Sequence, residues 1–192
     1  MDHSYWYLTR ASGLVAYLLL FASVVLGLVM TGDLVGRRVT RFGAYDLHRF
    51  TTLIALAVTL FHALIVLPDG FIGFSLADVL VPFATSYRSV YMAAGVLGLW
   101  LMALFVLTFY LRPLVPYPVW RLLHYATFVA FVLAVAHGAG TGTDTESVWS
   151  RDLYAVTGFV VFDLFVYRVL RGGTRGLPRS REAVPSAPLT DG

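Results

Sequence analysis

Two stretches of this chain decide its fold: AYDLHRFTTLIALAVTLFHALIVL at Ala44–Leu67 and PVWRLLHYATFVAFVLAVAHG at Pro118–Gly138. Each is long and apolar enough to cross a bilayer as a helix. Each also carries two histidines, spaced 14 residues apart in the first and 13 in the second. Because an α-helix rises ~1.5 Å per residue, the two members of a pair are separated by ~20 Å. That is too far for one shared ion, so the spacing predicts two metal centres at different depths. The histidines are His48 and His62, then His124 and His137.

The composition is that of an integral membrane protein. Of the 192 residues, 58% are hydrophobic and 13% charged, which is far from the usage of soluble domains. We expect one all-α domain, a membrane helical bundle covering residues 1–170. Cysteine is absent, which excludes disulfides, thiolate ligands, iron–sulfur clusters and thioether-attached haem. Lysine is absent too, so a retinal Schiff base has no amine to form on.

Charge-poor windows predict five spans, each close to the ~20 residues that cross the hydrocarbon core. Between the second and third spans, Phe74–Phe83 is too short to cross and is predicted to lie along the interface, with Ser75 as a helix N-cap. The stretch from Arg171 to Gly192 is rich in Arg, Pro, Gly and Ser and is predicted to be a disordered cytoplasmic tail. The spans are Ala11–Met30, Ala44–Leu67, Ser89–Leu111, Pro118–Gly138 and Val148–Leu170.

The arginines predict the orientation. Eleven of them flank the loops on one side of the predicted bundle and three flank the other. By the positive-inside rule the N-terminus is outside and the C-terminus cytoplasmic, in a multi-pass protein of the cell (inner) membrane. Beside apolar spans these arginines are topology signals, so nucleic acid is not an expected partner.

With five alternating spans, the two histidine-bearing helices run in the same direction. His48 and His124 then share an inner level, and His62 and His137 share an outer level. Two facing imidazoles can ligate one iron from both sides of a porphyrin, so each level predicts a non-covalent b-type haem. Small residues expected to let the macrocycle approach are Gly95, Gly98 and Gly158, and aromatic residues expected to pack on it are Phe50, Phe61, Tyr125, Phe128 and Phe131.

The helical geometry fits the second span better than the fourth. Fourteen residues return to within ~40° of the starting face, whereas thirteen miss it by ~140° on an ideal helix. The fourth span must therefore bend, carry a π-bulge, or end near His137, where Gly138 and Gly140 follow.

Other interpretations stay open at this point. A single histidine in an apolar helix is more often a packing residue than a ligand. Copper or zinc between paired histidines lacks the carboxylates or thiolates such sites usually recruit. A haem-free transporter or proton channel could use the four histidines as a relay, and a non-enzymatic electron-transfer or assembly subunit would need a partner for turnover.

Two motifs carry a resemblance to a known family. Leu47-His48-Arg49-Phe50 with His62, and Trp120-Arg121-Leu122-Leu123-His124-Tyr125 with His137-Gly138, resemble the ferric reductase-like transmembrane domain. Ferric-chelate reductases, NADPH oxidases and the bacterial MsrQ (YedZ) haem subunits share that domain. Leu8-Thr9-Arg10-Ala11-Ser12-Gly13 is similar to the start of its helix before the first histidine helix. The resemblance implies that His48 and His124 ligate an inner haem, that His62 and His137 ligate an outer haem, and that Arg10 lies near the outer propionates or the acceptor.

The chain also departs from that family. Full-length reductases typically have six spans and a cytosolic flavin module, whereas five spans and no glycine-rich dinucleotide motif are visible here. We therefore expect a stand-alone haem-binding subunit, an oxidoreductase component that meets FAD, FMN or NAD(P)H only through a partner. Its donor would be a separate flavin reductase or a quinol, and its acceptor ferric chelate, O₂ or a periplasmic protein. Arg49 and Arg121 are candidates to pair with haem propionates.

Asp163 is the only acidic residue well inside a predicted span. Intramembrane carboxylates usually face the protein interior, where they handle protons, bind a quinol head group or pair with a neighbouring helix. Both a functional and a structural role remain open for it.

Overall fold

The computed structural model describes residues 4–31, 41–69 and 72–174. Every regular element in those ranges is helical. The helices are α1 (Ser4–Thr31), α2 (Arg41–Ile65), α3 (Leu76–Leu80), α4 (Ser89–Tyr110), α5 (Tyr117–Tyr125), α6 (Thr127–Thr141) and α7 (Val148–Thr174), with one 3₁₀ turn at Arg112–Leu114.

Five segments are long and apolar enough to cross a membrane, so the predicted all-α, multi-pass architecture is confirmed. Four of them coincide with α1, α2, α4 and α7. The fifth, Tyr117–Thr141, comprises α5 and α6 together. The predicted span ends are close to the observed ones except at the start of the first span and the end of the last. Helix α1 begins at Ser4, seven residues before the predicted start, and α7 continues past the predicted end at Leu170 to Thr174. Residues 175–192 of the predicted tail lie outside the described residues.

The bundle is built from two helix pairs that share a core. α1 packs along α2, α4 packs along α6, and α1 also contacts α6 and α7. The core contains Tyr17 of α1, Ala55 of α2, Met102 of α4 and Phe131 of α6, all less than 10% exposed. Tyr17 stacks on Phe131 with ring centroids 5.9 Å apart and exchanges a hydrogen bond with Thr157, which ties α1 to both later helices.

The fourth span is interrupted at Ala126, two residues after His124. The Ala126 N–H reaches back only three residues, to the Leu123 carbonyl at 3.0 Å, and the Thr127 hydroxyl donates to the His124 carbonyl at 2.7 Å. A threonine hydroxyl that takes a backbone carbonyl competes with the α-helical pattern and favours such a break. The helix therefore changes course between its two histidines, and it does not end at His137 but continues to Thr141.

The short helix α3 begins as predicted, and its Leu80 carbonyl accepts a hydrogen bond from the Trp100 indole on α4 at 2.9 Å. Ser75 is its N-cap, and the Asp78 carboxylate accepts hydrogen bonds from the Ser75 N–H at 2.8 Å and the Ser75 hydroxyl at 2.6 Å. Two hydrogen bonds from Ser75 lower the pKa of Asp78: the bond from its hydroxyl has the larger effect, and the bond from its backbone N–H the smaller. This reciprocal capping fixes the start of α3, whose Val79 is 6% exposed and lines the central cavity.

Removing the cap has a predictable effect on Asp78. In Ser75→Ala the hydroxyl donor is lost, so we expect the pKa of Asp78 to rise toward its ordinary value, observable as a shifted carboxyl ¹³C titration by NMR. Because the folded pKa is depressed, the stabilisation from this cap is present above the unfolded pKa and is lost as the pH falls through the folded one. An unchanged titration in Ser75→Ala would contradict the capping arrangement, and Thr85→Ala, outside α3, serves as the control.

The predicted orientation can be tested because the chain has no cysteine. Glu146→Cys lies in the loop before α7, and Leu114→Cys lies in the turn between α4 and α5, where Leu114 is 80% exposed. With the N-terminus outside, a membrane-impermeant maleimide labels Glu146→Cys in intact cells and labels Leu114→Cys only after permeabilisation. The reverse labelling pattern would invert the topology.

Candidate functional site: two stacked histidine pairs

The structure brings the four histidines together in two pairs. His48 and His124 have ring centroids 6.3 Å apart with planes at 87°, and His62 and His137 have centroids 6.2 Å apart with planes at 77°. These are the pairs that the two-level arrangement predicts. Within the described residues, α2 is not a close packing partner of α5, which carries His124, or of α6, which carries His137, so the rings meet across a space between these helices.

Three of the rings are fixed by a backbone carbonyl of a neighbouring helix. Nδ1 of His48 lies 2.9 Å from the Ser23 carbonyl and Nδ1 of His62 lies 2.9 Å from the Thr9 carbonyl, both on α1. Nδ1 of His137 lies 3.0 Å from the Tyr91 carbonyl on α4. Because a carbonyl can only accept, Nδ1 is the protonated nitrogen in each of these rings.

This leaves Nε2 of each anchored ring as the nitrogen with a free lone pair. None of the hydrogen bonds formed within the described part of the chain uses an Nε2 of the four histidines. An Nδ1–H bonded to a carbonyl, with Nε2 left for a ligand, is the arrangement by which proteins orient metal-binding histidines. His124 differs from the other three, since its ring lies against Trp120 instead of a carbonyl.

Glycines make room for the outer rings. A Cβ added at Gly13 would lie 2.8 Å from the His62 ring, and one added at Gly95 would lie 2.5 Å from the His137 ring. Both are closer than real Cβ contacts, so any larger residue would displace an imidazole. Gly27 stands in the same relation to His48 but less tightly, at 3.5 Å.

A cavity of about 330 Å³ opens from the His62–His137 pair toward the end of the bundle where α1 begins. Its walls are mainly apolar, as in most ligand sites. Thr9 lines it, and the Thr9 hydroxyl is buried without a hydrogen-bond partner among the described residues. A buried hydroxyl is costly to leave unpaired, which points to a polar group on whatever fills this space. Other lining residues are His62, His137, Gly98, Leu20, Met102 and Ala134.

The donor geometry fits haem. With about 2 Å for a bond from a histidine nitrogen to a metal and about 1 Å more to the ring centre, two imidazoles on opposite sides of one iron have ring centres about 6 Å apart. Both pairs have that separation. No group of three or more His, Cys, Asp or Glu in the described ranges could hold a bare ion. The pairs therefore suit a metal that brings its own ring of ligands.

The three arginines singled out from the sequence lie at the two ends of the bundle. Arg10 lines the outer cavity, where it forms an ion pair with Asp144 and lies 5.1 Å from the Trp6 ring. At the opposite end of the bundle, Arg49 lies over the rings of Phe109 and Tyr110, and Arg121 lies over Tyr117. Arg10 is thus held by an acid across the mouth of the cavity, and the inner arginines are held by aromatic faces.

Some residues expected around the site are not among those that line the cavity. Phe50 and Phe61 of α2 are 62% and 47% exposed, and Asp163 is exposed on α7. A Cβ added at Gly158 would meet nothing within 4 Å, so there is room at this position, as expected. Sequence reasoning missed Gly27 and the carbonyls of Thr9, Ser23 and Tyr91, for which a single sequence carries no signal.

Comparisons of the chain with protein families, with curated proteins and with solved structures find no match. The geometry of the histidine pairs and the sequence motifs therefore carry the functional argument.

Exchange of Gly95 for alanine tests the tight approach to His137. Replacing Gly by Ala inside a helix normally stabilises by about 0.5–1 kcal/mol, but overpacking costs about 1–3 kcal/mol. At Gly95 the clash should win and lower the melting temperature, whereas Gly158→Ala, with nothing within 4 Å of the new Cβ, should raise it slightly. Equal shifts of the melting temperature for both variants in a thermal unfolding assay would contradict the close approach of Gly95 to the His137 ring.

Proposed function

We propose that this chain is a transmembrane di-haem b-type cytochrome, an electron-transfer subunit resembling the ferric reductase-like family. The observation that carries the proposal is that the four imidazoles form two pairs. In each pair the rings have the separation that two histidines holding one iron would need. His48 and His124 would hold the inner haem, and His62 and His137 the outer one. When bound, haem would supply one-electron iron chemistry at each histidine pair.

The residues of the chain determine how such centres behave. The carbonyls of Thr9, Ser23 and Tyr91 hold three rings in one orientation, which keeps Nε2 directed to the space between the helices. If both imidazoles of a pair hold the group, an acceptor would make its contact at the periphery of the site. The outer cavity, with Thr9 and Arg10 in its wall, provides a place for that contact or for a propionate.

The layer between the two levels favours electrons over protons. Ala55 lies midway between His48 and His62, and Phe131 lies midway between His124 and His137. Both are almost fully buried in a cluster with Leu20 and Met102. A histidine proton relay needs polar groups at hydrogen-bonding distance along its path. In the described structure the polar group of this cluster, the Tyr17 hydroxyl, is hydrogen-bonded to Thr157 and to none of the four histidines.

The donor and acceptor in this proposal are separate molecules. A flavin reductase or a membrane quinol would deliver electrons at the inner end, where Arg49, Arg112 and Arg121 lie over aromatic rings. Ferric chelate, O₂ or a periplasmic protein would receive them at the outer end. Arginines near the inner histidines would also favour the propionates of the inner haem.

Single histidine exchanges test the two-level assignment. In His62→Leu, we expect the purified protein to keep one b-type haem and lose the other, and in His48→Leu the opposite centre is lost. Redox titration followed by optical absorption distinguishes them, because the two centres lie in different surroundings. His3→Leu, outside the predicted spans, is the matched control and should keep both.

Loss of both haems in His62→Leu with the fold intact would contradict the pairing. A wild-type protein that is colourless and carries no haem would contradict the proposed function.

A further inference from the structure

His124 is held differently from the other three histidines. In the described structure its Nδ1 has no carbonyl partner, whereas the rings of His48, His62 and His137 each have one on another helix. Instead, the His124 ring lies parallel to the indole of Trp120, with centroids 5.1 Å apart and planes at 11°. Trp120 precedes His124 by four residues, so the two side chains are neighbours on the same face of α5.

The stack continues away from the histidine toward the inner end of the bundle. Tyr117 lies on Trp120 with centroids 6.2 Å apart and planes at 26°. The Arg112 guanidinium lies 4.9 Å from the centre of the Trp120 ring, where a cation is attracted to the indole face. Trp120 is therefore fixed from two sides, and it can in turn limit the rotation of the His124 ring.

The helix that carries His124 is also the least anchored of those bearing a histidine. α5 has nine residues and ends at Tyr125, directly before the break at Ala126. His48, His62 and His137 are on long helices and are tied to α1 or α4 by their Nδ1 bonds. Among the described residues, the His124 ring contacts Trp120 of its own short helix and, edge-on, the His48 ring, and no carbonyl of another helix holds it.

Resting on the proposed function, we infer that Trp120 is the positioning residue for His124, and that His124 is the axial ligand most easily displaced. The inner iron is then the one that a small external ligand, such as carbon monoxide, can reach when the stack is weakened. The physical reason is that a ring without a hydrogen bond to another helix can swing away at the loss of stacking alone, whereas each other ring must also break its carbonyl bond.

The test uses the full-length haem-loaded protein and carbon monoxide as the probe. Wild type, reduced with dithionite, should bind no carbon monoxide, because both irons have two histidine ligands. In Trp120→Leu, one of the two haems should bind it, and the oxidised protein should show a high-spin signal by EPR. Trp120→Phe keeps an aromatic ring and should bind carbon monoxide more slowly than Trp120→Leu. Trp149→Leu is the matched control, because Trp149 is half exposed at the start of α7, and it should behave as wild type.

The double variant Trp120→Leu/His62→Leu identifies which haem binds carbon monoxide. It should keep only the inner haem, and all of that haem should bind carbon monoxide. If Trp120→Leu does not fold, the rates for Trp120→Phe and wild type carry the comparison, with equal rates overturning the inference. Two unchanged low-spin haems in Trp120→Leu, or binding confined to the outer haem, overturn the inference and leave the proposed function intact. A wild-type protein without haem overturns both.

Discussion

The hydrogen bond between a histidine Nδ1–H and a backbone carbonyl on another helix is the interaction on which this structure depends. It occurs three times, at His48, His62 and His137, and each time it joins a histidine helix to α1 or α4. A typical hydrogen bond of this kind contributes about 0.5–1.5 kcal/mol, so the three together matter for stability. Their larger effect is on orientation, since a ring with a fixed Nδ1 leaves only Nε2 for a ligand in the space between α2 and the α5–α6 segment. The acceptor carbonyls belong to long helices, which makes each ring's position a property of the whole bundle.

Two further features follow from placing these rings between helices. Carbonyls can approach an imidazole closely only where the facing helix lacks a side chain, and Gly13 and Gly95 stand at those places. The second feature is the break at Ala126. A regular helix cannot aim two side chains thirteen residues apart at the same partner helix. The chain resolves this by ending α5 just after His124, with the Thr127 hydroxyl bonded to the His124 carbonyl. One consequence is that His124 is on a short helix, where Trp120 holds it instead of a carbonyl.

Much of this could be predicted from the sequence, and the limits have physical causes. The spans and the histidine pairs follow from apolar length and spacing, because both depend only on helix geometry. The Ser75 cap follows from local chemistry. The angular mismatch in the fourth span showed that the helix had to deviate, but not where. Thr127 alone did not mark the place, because Thr59 and Thr157 also bond backbone carbonyls inside unbroken helices. The carbonyls that receive the imidazoles depend on how α1 and α4 are rotated, and every residue has a carbonyl. Asp163 is exposed on α7, and its role, functional or structural, does not follow from the sequence pattern.

The central claim is that each histidine pair holds one iron porphyrin within the membrane bundle. The most direct measurement is the amount of iron and of non-covalently bound porphyrin per chain in protein purified in mild detergent, made together with EPR of the oxidised state. The account predicts two iron atoms and two extractable haem b groups per chain, both low-spin with two imidazole ligands. Protein that is folded and helical but contains neither iron nor porphyrin, or that binds zinc or copper in their place, would contradict it.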